Sequence, residues 1–265
     1  MKTANSQAAE LHLQGIRLDN LSMSEALSCI EQALAASQPT RIAFANADCL
    51  NLAAGNAAYR QHLAGMDRVF IDGIGMRIAA RLLGQSVRAN VNGTDLFPLL
   101  CASLARQGKR LYLLGGRPGV AAQAASWARQ NFPGLRVAGI SHGYYPASEE
   151  AMLANEIHDS RADVLLVGLG APRQEAWITR HMAACGATVA MGVGGLFDFY
   201  GGRVPRAPFW MRRLGLEWVF RLYQEPARLW RRYLLGNPSF LCRACREALG
   251  KLFSRHTEGK HHELV

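Results

Sequence analysis

The sequence predicts an α/β protein with a mainly parallel sheet and a helical, Arg/Trp-rich C-terminal appendage, and three observations carry that prediction. From residue 40 onward, short β-rich runs alternate with longer amphipathic ones, the pattern of strands joined by crossover helices. Runs such as VLLVGLG are apolar at nearly every position, as strands covered on both faces must be. Charge gathers at one end: residues 203–265 carry 13 Lys and Arg against 5 Asp and Glu, and residues 1–202 carry 17 against 15, which gives most of the net +10 to the C-terminal part.

Taken in order, LQGIRLDN supplies an edge strand and residues 22–36 a covering helix. Six core strands follow in RIAFAN, DRVFID, KRLYLLGG, LRVAGIS, ADVLLVGLG and ATVAMGVGG. The segments between them, 48–64, 73–83, 94–107, 118–131, 148–159 and 172–184, repeat apolar residues every three to four positions and start at turn or cap residues such as Thr94, Ser148 and Pro172. FYGGRVPRAP breaks the pattern with two glycines and two prolines, which divides the chain into a core of residues 1–202 and an appendage of 203–265.

With 49% apolar and 19% charged residues the chain has a globular composition, and its length allows a full core. MKTANSQAAE lacks the charged-then-apolar order of a secretory signal and no run of about 18 apolar residues occurs, so a cytoplasmic location is expected. The six cysteines are scattered and are read as reduced thiols; Cys242 and Cys245 form a lone CxxC that suits one helix face better than a metal site.

Parallel sheets bind ligands beyond the carboxyl ends of their strands, where four segments stand out. Asn46 ends the first core strand, although an Asn there also caps helices. Asp72 ends the second and is followed by Gly73. Gly115 and Gly116 in LLGGRPG can present backbone N–H groups to a phosphate or sugar. Gly168 and Gly170 in GLGAPRQE precede a helix whose first turn holds Gln174, a side chain able to donate to and accept from sugar hydroxyls or a uracil edge. Each segment alone suits a structural role as well as a functional one.

Residues 203–232 hold eight arginines and three tryptophans, Trp210, Trp218 and Trp230, but no lysine. Planar guanidinium donors between amphipathic rings suit diphosphates and lipid headgroups, which predicts docking on an anionic membrane surface. Pro226 fits a first helical position, so one helix should end near Gln224 and another begin at Pro226. Arg221 then lies in the last turn of one and Arg228 and Arg231 on one face of the next, a candidate diphosphate site.

Asn46, IDG at 71–73, NGTD at 92–95, GLGAPRQE, GVGGLFDFYGG, RAPFW, GLEWVFRL and EPARLWRR together resemble the bacterial WecG/TagA/CpsF glycosyltransferases across residues 15–235. The resemblance implies a Rossmann-like core and a peripheral enzyme on the inner face of the plasma membrane. It implies inverting, β-forming transfer of a hexose from a UDP-sugar to a polyprenyl-diphosphate-linked monosaccharide in surface or exopolysaccharide biosynthesis. By that likeness Asp72 is the base, Asn46 and Gln174 contact substrate, and Arg221, Arg228 and Arg231 neutralise the diphosphate. No cofactor is expected. The sequence contains no Asp-x-Asp, so arginines in place of a metal should carry the leaving-group charge. Phe44 and Asn90 stand where many members have Thr and Arg, in the region expected to recognise the donor. That departure favours UDP-glucose, as in a xanthan-type branch, over the alternative of N-acetylmannosamine or its uronate. The resemblance leaves room for a homo-oligomer.

Two other classes fit less well. A nicotinamide-dependent oxidoreductase would carry GxGxxG after its first strand, and none is present. A nucleic-acid-binding protein would use the basic appendage, yet the core is nearly neutral and the tryptophans sit at apolar helical positions, so no nucleic acid partner is expected.

Overall fold

The computed structural model describes residues 9–262. Eight strands form one sheet: β1 (Glu10–Leu13), β2 (Ile16–Asp19), β3 (Thr40–Ala45), β4 (Arg68–Ile71), β5 (Arg110–Gly115), β6 (Arg136–Ser141), β7 (Val164–Gly168) and β8 (Val189–Gly192), in the order β1-β2-β4-β3-β8-β7-β5-β6. All pairs are parallel except β1–β2. The architecture is Rossmann-like, as expected. The predicted single edge strand is a hairpin, because Gln14 and Gly15 both adopt positive φ (51° and 75°) and close a two-residue turn.

Helices cover both faces: α1 (Met23–Ala35), α2 (Ala47–Gly55), α3 (Ala57–Ala64), α4 (Ile74–Leu82), α5 (Gly93–Gln107), α6 (Val120–Asn131), α7 (Glu150–Asp159), α8 (Arg173–Cys185) and the short α9 (Leu196–Tyr200). The stretch expected as one helix over 48–64 breaks at Asn56, whose side chain accepts from the Tyr59 N–H at 2.9 Å and so starts α3. α5 begins one residue before Thr94, because Asn92 accepts from the Asp95 N–H at 2.7 Å and caps it.

Two buried layers sandwich the sheet. One joins Leu50, Tyr59, Met76, Leu165 and Trp177; the other joins Ile30, Phe70, Phe97, Leu113 and Phe197. Burial of this apolar surface is the main stabilising contribution, at roughly 25 cal/mol per Å². From β3 the chain first runs outward through β4, then crosses to β5 and β6 and returns through β7 and β8. The β3–β8 boundary is therefore the point where the winding reverses, and its carboxyl end opens a crevice.

Residues 203–262 add α10 (Phe209–Arg213), α11 (Glu217–Gln224), α12 (Pro226–Trp230), a π-helical stretch (Arg231–Gly236) and α13 (Asn237–His262). The division at Glu225–Pro226 falls where Pro226 takes the first helical position. α13 packs on α2 and α4 and places fully buried Phe240 and Ala244 in the layer that holds Tyr59 and Trp177.

Candidate active site

Asp72 sits immediately after β4. Its backbone N–H donates to the carbonyl of Ala45, the last residue of β3, at 2.9 Å and carries the β3–β4 pairing one residue past β4. Gly73, at φ 96°, then turns the chain into α4, a conformation that disfavours any residue with a Cβ. The Gly73 N–H donates to Asn90 Oδ1 at 2.6 Å, so Asn90 fixes the turn that aims Asp72. Burial against the cavity wall pushes the Asp72 carboxyl up to about 6. Arg232 and Arg221 and a hydrogen bond from Asn46 pull the other way, while nearby Glu217 adds to the rise.

Asn46 has two roles. Its Oδ1 accepts from the Asp48 and Cys49 N–H groups at 3.1 and 3.2 Å and caps α2, and its side chain bonds to Asp72. Capping and site placement, alternatives in the sequence, coexist in one residue. Phe44 lies just behind, packed edge-on against Phe70 with ring centroids 5.7 Å apart.

Three connected spaces line the crevice. The first runs from Asp72 and Asn90 to Trp218, Tyr233 and Asn237 of the appendage. The second, about 440 Å³, joins Asn46 and Asp72 to Gly170, Gln174, the Gly192–Gly195 turn, Arg221, Arg228 and Arg232. The third, about 370 Å³, is bounded by Gly116, Tyr144, Gly168, Arg173, Arg203 and Arg228. These volumes suit small-molecule ligands. Gly115 stays behind them: a Cβ there would lie 2.4 Å from the Gly168 carbonyl oxygen, so this glycine permits the close approach of β5 to β7. Gln174 borders the second cavity, but its amide is engaged inside the protein. Oε1 accepts from the Gly194 N–H at 2.9 Å and Nε2 donates to Glu175 at 2.8 Å.

The appendage is tied down by ion pairs. Asp95 meets Arg206 at 2.8 Å and Arg212 at 3.5 Å, Asp198 meets Arg203 at 2.7 Å, and Asp48 meets Arg232 at 3.3 Å.

The glycosyl transferase WecG/TagA/CpsF family matches residues 11–253. The chain belongs to the WecG/TagA/CpsF family. It is similar to an N-acetylglucosaminyldiphosphoundecaprenol N-acetyl-β-D-mannosaminyltransferase of Bacillus spizizenii, 36% identical over 70% of this chain and 71% of the relative. A protein of the same name from Bacillus subtilis is 32% identical over 73% of this chain and 74% of its own. The chain is thus a glycosyltransferase, and the crevice at the β3–β8 boundary is its candidate catalytic centre.

For this WecG/TagA/CpsF glycosyltransferase, the cavity arginines differ from the sequence expectation at one position. Arg221 borders the first two cavities, with its guanidinium 5.2 Å from the Phe199 ring, and Arg228 borders the second and third while paired with Glu225. Arg231 borders none of the three: it is exposed and folds over its neighbour Trp230 at 5.2 Å. Arg232 takes the inward position. Arg231 at i+3 and Arg232 at i+4 both return to the helical face of Arg228 by ordinary spacing, and the pairing of Arg232 with Asp48 of α2 goes with its inward position. The sequence signal was only the adjacent RR pair. Glu217, the other charged neighbour of Asp72, was visible simply as one of two acids among eight arginines.

Proposed function

We propose that this enzyme moves an N-acetylmannosamine residue from UDP to a polyprenyl-diphosphate-linked N-acetylglucosamine, with inversion at the anomeric carbon. The observation that carries the reading is the meeting of Asp72, at a strand end, with Arg221 and Arg232 brought over it by the appendage. The acceptor hydroxyl oxygen bonds to the anomeric carbon as the carbon–oxygen bond to the diphosphate breaks. Asp72 takes the hydroxyl proton, and Arg221, Arg228 and Arg232 meet the charge left on UDP. The donor nucleotide fits the cavity edged by Gly116, Gly168, Gly170 and Arg173, with its diphosphate toward Arg228. The acceptor enters between Asp72 and Trp218.

The sugar is drawn from the names of the two relatives, which favour N-acetylmannosamine over the glucose suggested by Phe44 and Asn90. Both residues also have structural work that accounts for them, Phe44 packing on Phe70 and Asn90 holding Gly73.

A lipid-linked acceptor calls for a membrane-facing surface. Among the described residues no helix is long and apolar enough to cross a membrane. Phe209, Trp210, Leu214 and Tyr223 are 59–85% exposed on or beside α10 and α11, next to Arg212 and Arg213. This face suits peripheral docking on anionic lipid. Trp218 is not part of it, since its ring packs 5.7 Å from Tyr233 inside the first cavity.

The test is release of UDP from UDP-N-acetylmannosamine and from UDP-glucose with a synthetic lipid-diphosphate N-acetylglucosamine. Turnover with the first donor and less than a tenth of it with the second supports the proposal; the reverse order restores glucose.

A further inference from the structure

Glu175 is fully buried and lies outside the machinery described so far. One carboxylate oxygen accepts from Gln174 Nε2 at 2.8 Å, and the other has no hydrogen-bond partner among the described residues. An ionisable side chain is costly to bury, and here burial raises its pKa, so its position calls for a use. Its environment supplies one. The Gly194 N–H can only donate, so Gln174 must turn Oε1 toward it, and the 2.9 Å bond shows that it does. Nε2 must then face an acceptor, and Glu175 is that acceptor.

The turn held in this way, Gly192–Gly195, has little freedom elsewhere. Gly194 adopts φ 55°, a Cβ on Gly192 would lie 2.9 Å from Gln174 Nε2, and one on Gly168 would lie 2.9 Å from the Gly194 carbonyl. Gly194 and Gly195 border both the cavity that holds Arg221 and Arg232 and the one that holds Arg173 and Arg203. They form the partition across which the proposed donor must lie.

We propose that Glu175 is a positioning residue for donor binding: it locks the Gln174 carboxamide in the one orientation that fixes Gly194, and so shapes the partition between the two donor cavities. This rests on the nucleotide-sugar reading of the site. Glu175 touches no substrate in this role and acts through Gln174 alone.

The experiment measures UDP binding by calorimetry and backbone hydrogen exchange across Val189–Leu196 in the full chain. Glu175→Leu removes the acceptor; Glu175→Gln keeps a carbonyl for Gln174 and is the conservative control. With the acceptor lost, UDP affinity should fall about tenfold or more and Gly194 should exchange faster by a similar factor, while exchange in β5 and α1 stays unchanged. Glu175→Gln should remain within about threefold of wild type on both measures. Wild-type behaviour of Glu175→Leu, equal damage in Glu175→Gln, or faster exchange throughout the chain would each overturn the proposal. Should Glu175→Leu not fold, the swap decides. Gln174→Glu sets two carboxylates face to face, and adding Glu175→Gln restores a donor between them. The double variant should bind UDP at least about tenfold more tightly than Gln174→Glu alone, and no tightening refutes the lock. If the wild-type chain fails to bind UDP, the nucleotide reading falls, while the exchange measurement still tests Glu175.

Discussion

Asp48 in the first turn of α2 and Arg232 in the appendage lie 3.3 Å apart, which binds the two parts of the chain together beside Asp72. Arg232 is therefore held against the core while its charge acts on both carboxylates. On the proposed reading its removal has two effects at once: the leaving group loses a cation and Asp72 loses an opposing charge.

Arg232→Ala should accordingly lower kcat by about 10²-fold or more, whereas Arg231→Ala should stay within about threefold of wild type. Steady-state kinetics of the two variants side by side checks this. A larger loss at Arg231 would place the inward-facing arginine where helical spacing in the sequence first put it.

Asp72→Asn is isosteric and removes the proposed base, so transfer should fall by about 10²–10⁴-fold. The raised carboxyl makes a second prediction about stability. A group whose folded pKa is about 6, above the ordinary carboxylate value, binds its proton more tightly in the folded chain. Its favourable contribution is complete below about pH 4 and is lost as pH rises through about 6. Asp72→Asn should thus raise Tm at pH 7.5, by the equivalent of about 1–2 kcal/mol after allowing for solvent at the cavity, and the gain should vanish near pH 4. Calorimetric melts at the two pH values are the check; a lower Tm at pH 7.5 contradicts it.

The same group predicts the pH–rate profile. kcat/KM should rise with pH through about 6 and then level off. A bound diphosphate occupies Arg221 and Arg232, which otherwise lower the Asp72 pKa, so the acid limb of kcat should lie at higher pH than that of kcat/KM. Coincident limbs would mean that the donor leaves those arginines facing Asp72.

Turnover should persist in excess EDTA, because the proposed diphosphate site already gathers Arg221, Arg228 and Arg232 in one cavity. Loss of activity in chelator that Mg²⁺ or Mn²⁺ restores would contradict that division of labour.

Phe209→Ser combined with Trp210→Ser should weaken sedimentation with anionic vesicles severalfold while UDP affinity stays within about threefold, since both rings are exposed and neither borders the three cavities of the crevice. Unchanged sedimentation would move the docking surface away from α10.

Much of this fold and site is legible in the sequence. The strands were visible because their apolar runs are buried on both faces, and Asp72 because a carboxylate before glycine at a strand end is conspicuous. The choice of Arg232 over Arg231 is not, because i+3 and i+4 both share the helical face of Arg228, and only packing against the core, where Arg232 meets Asp48, selects between them. The engagement of Gln174 was hidden for a related reason. An amide's partners depend on which glycine turn folds back over it, and that is settled by packing between β7, β8 and α8.

Phe240 and Ala244, the fully buried side chains by which α13 enters the core, change what residues 203–236 are. A segment fixed at one end by the core after β8 and at the other by these two side chains is a tethered flap, not a free tail. If its ion pairs open to admit a substrate, the arginines it carries remain at high effective concentration above Asp72, and reclosure needs no long search.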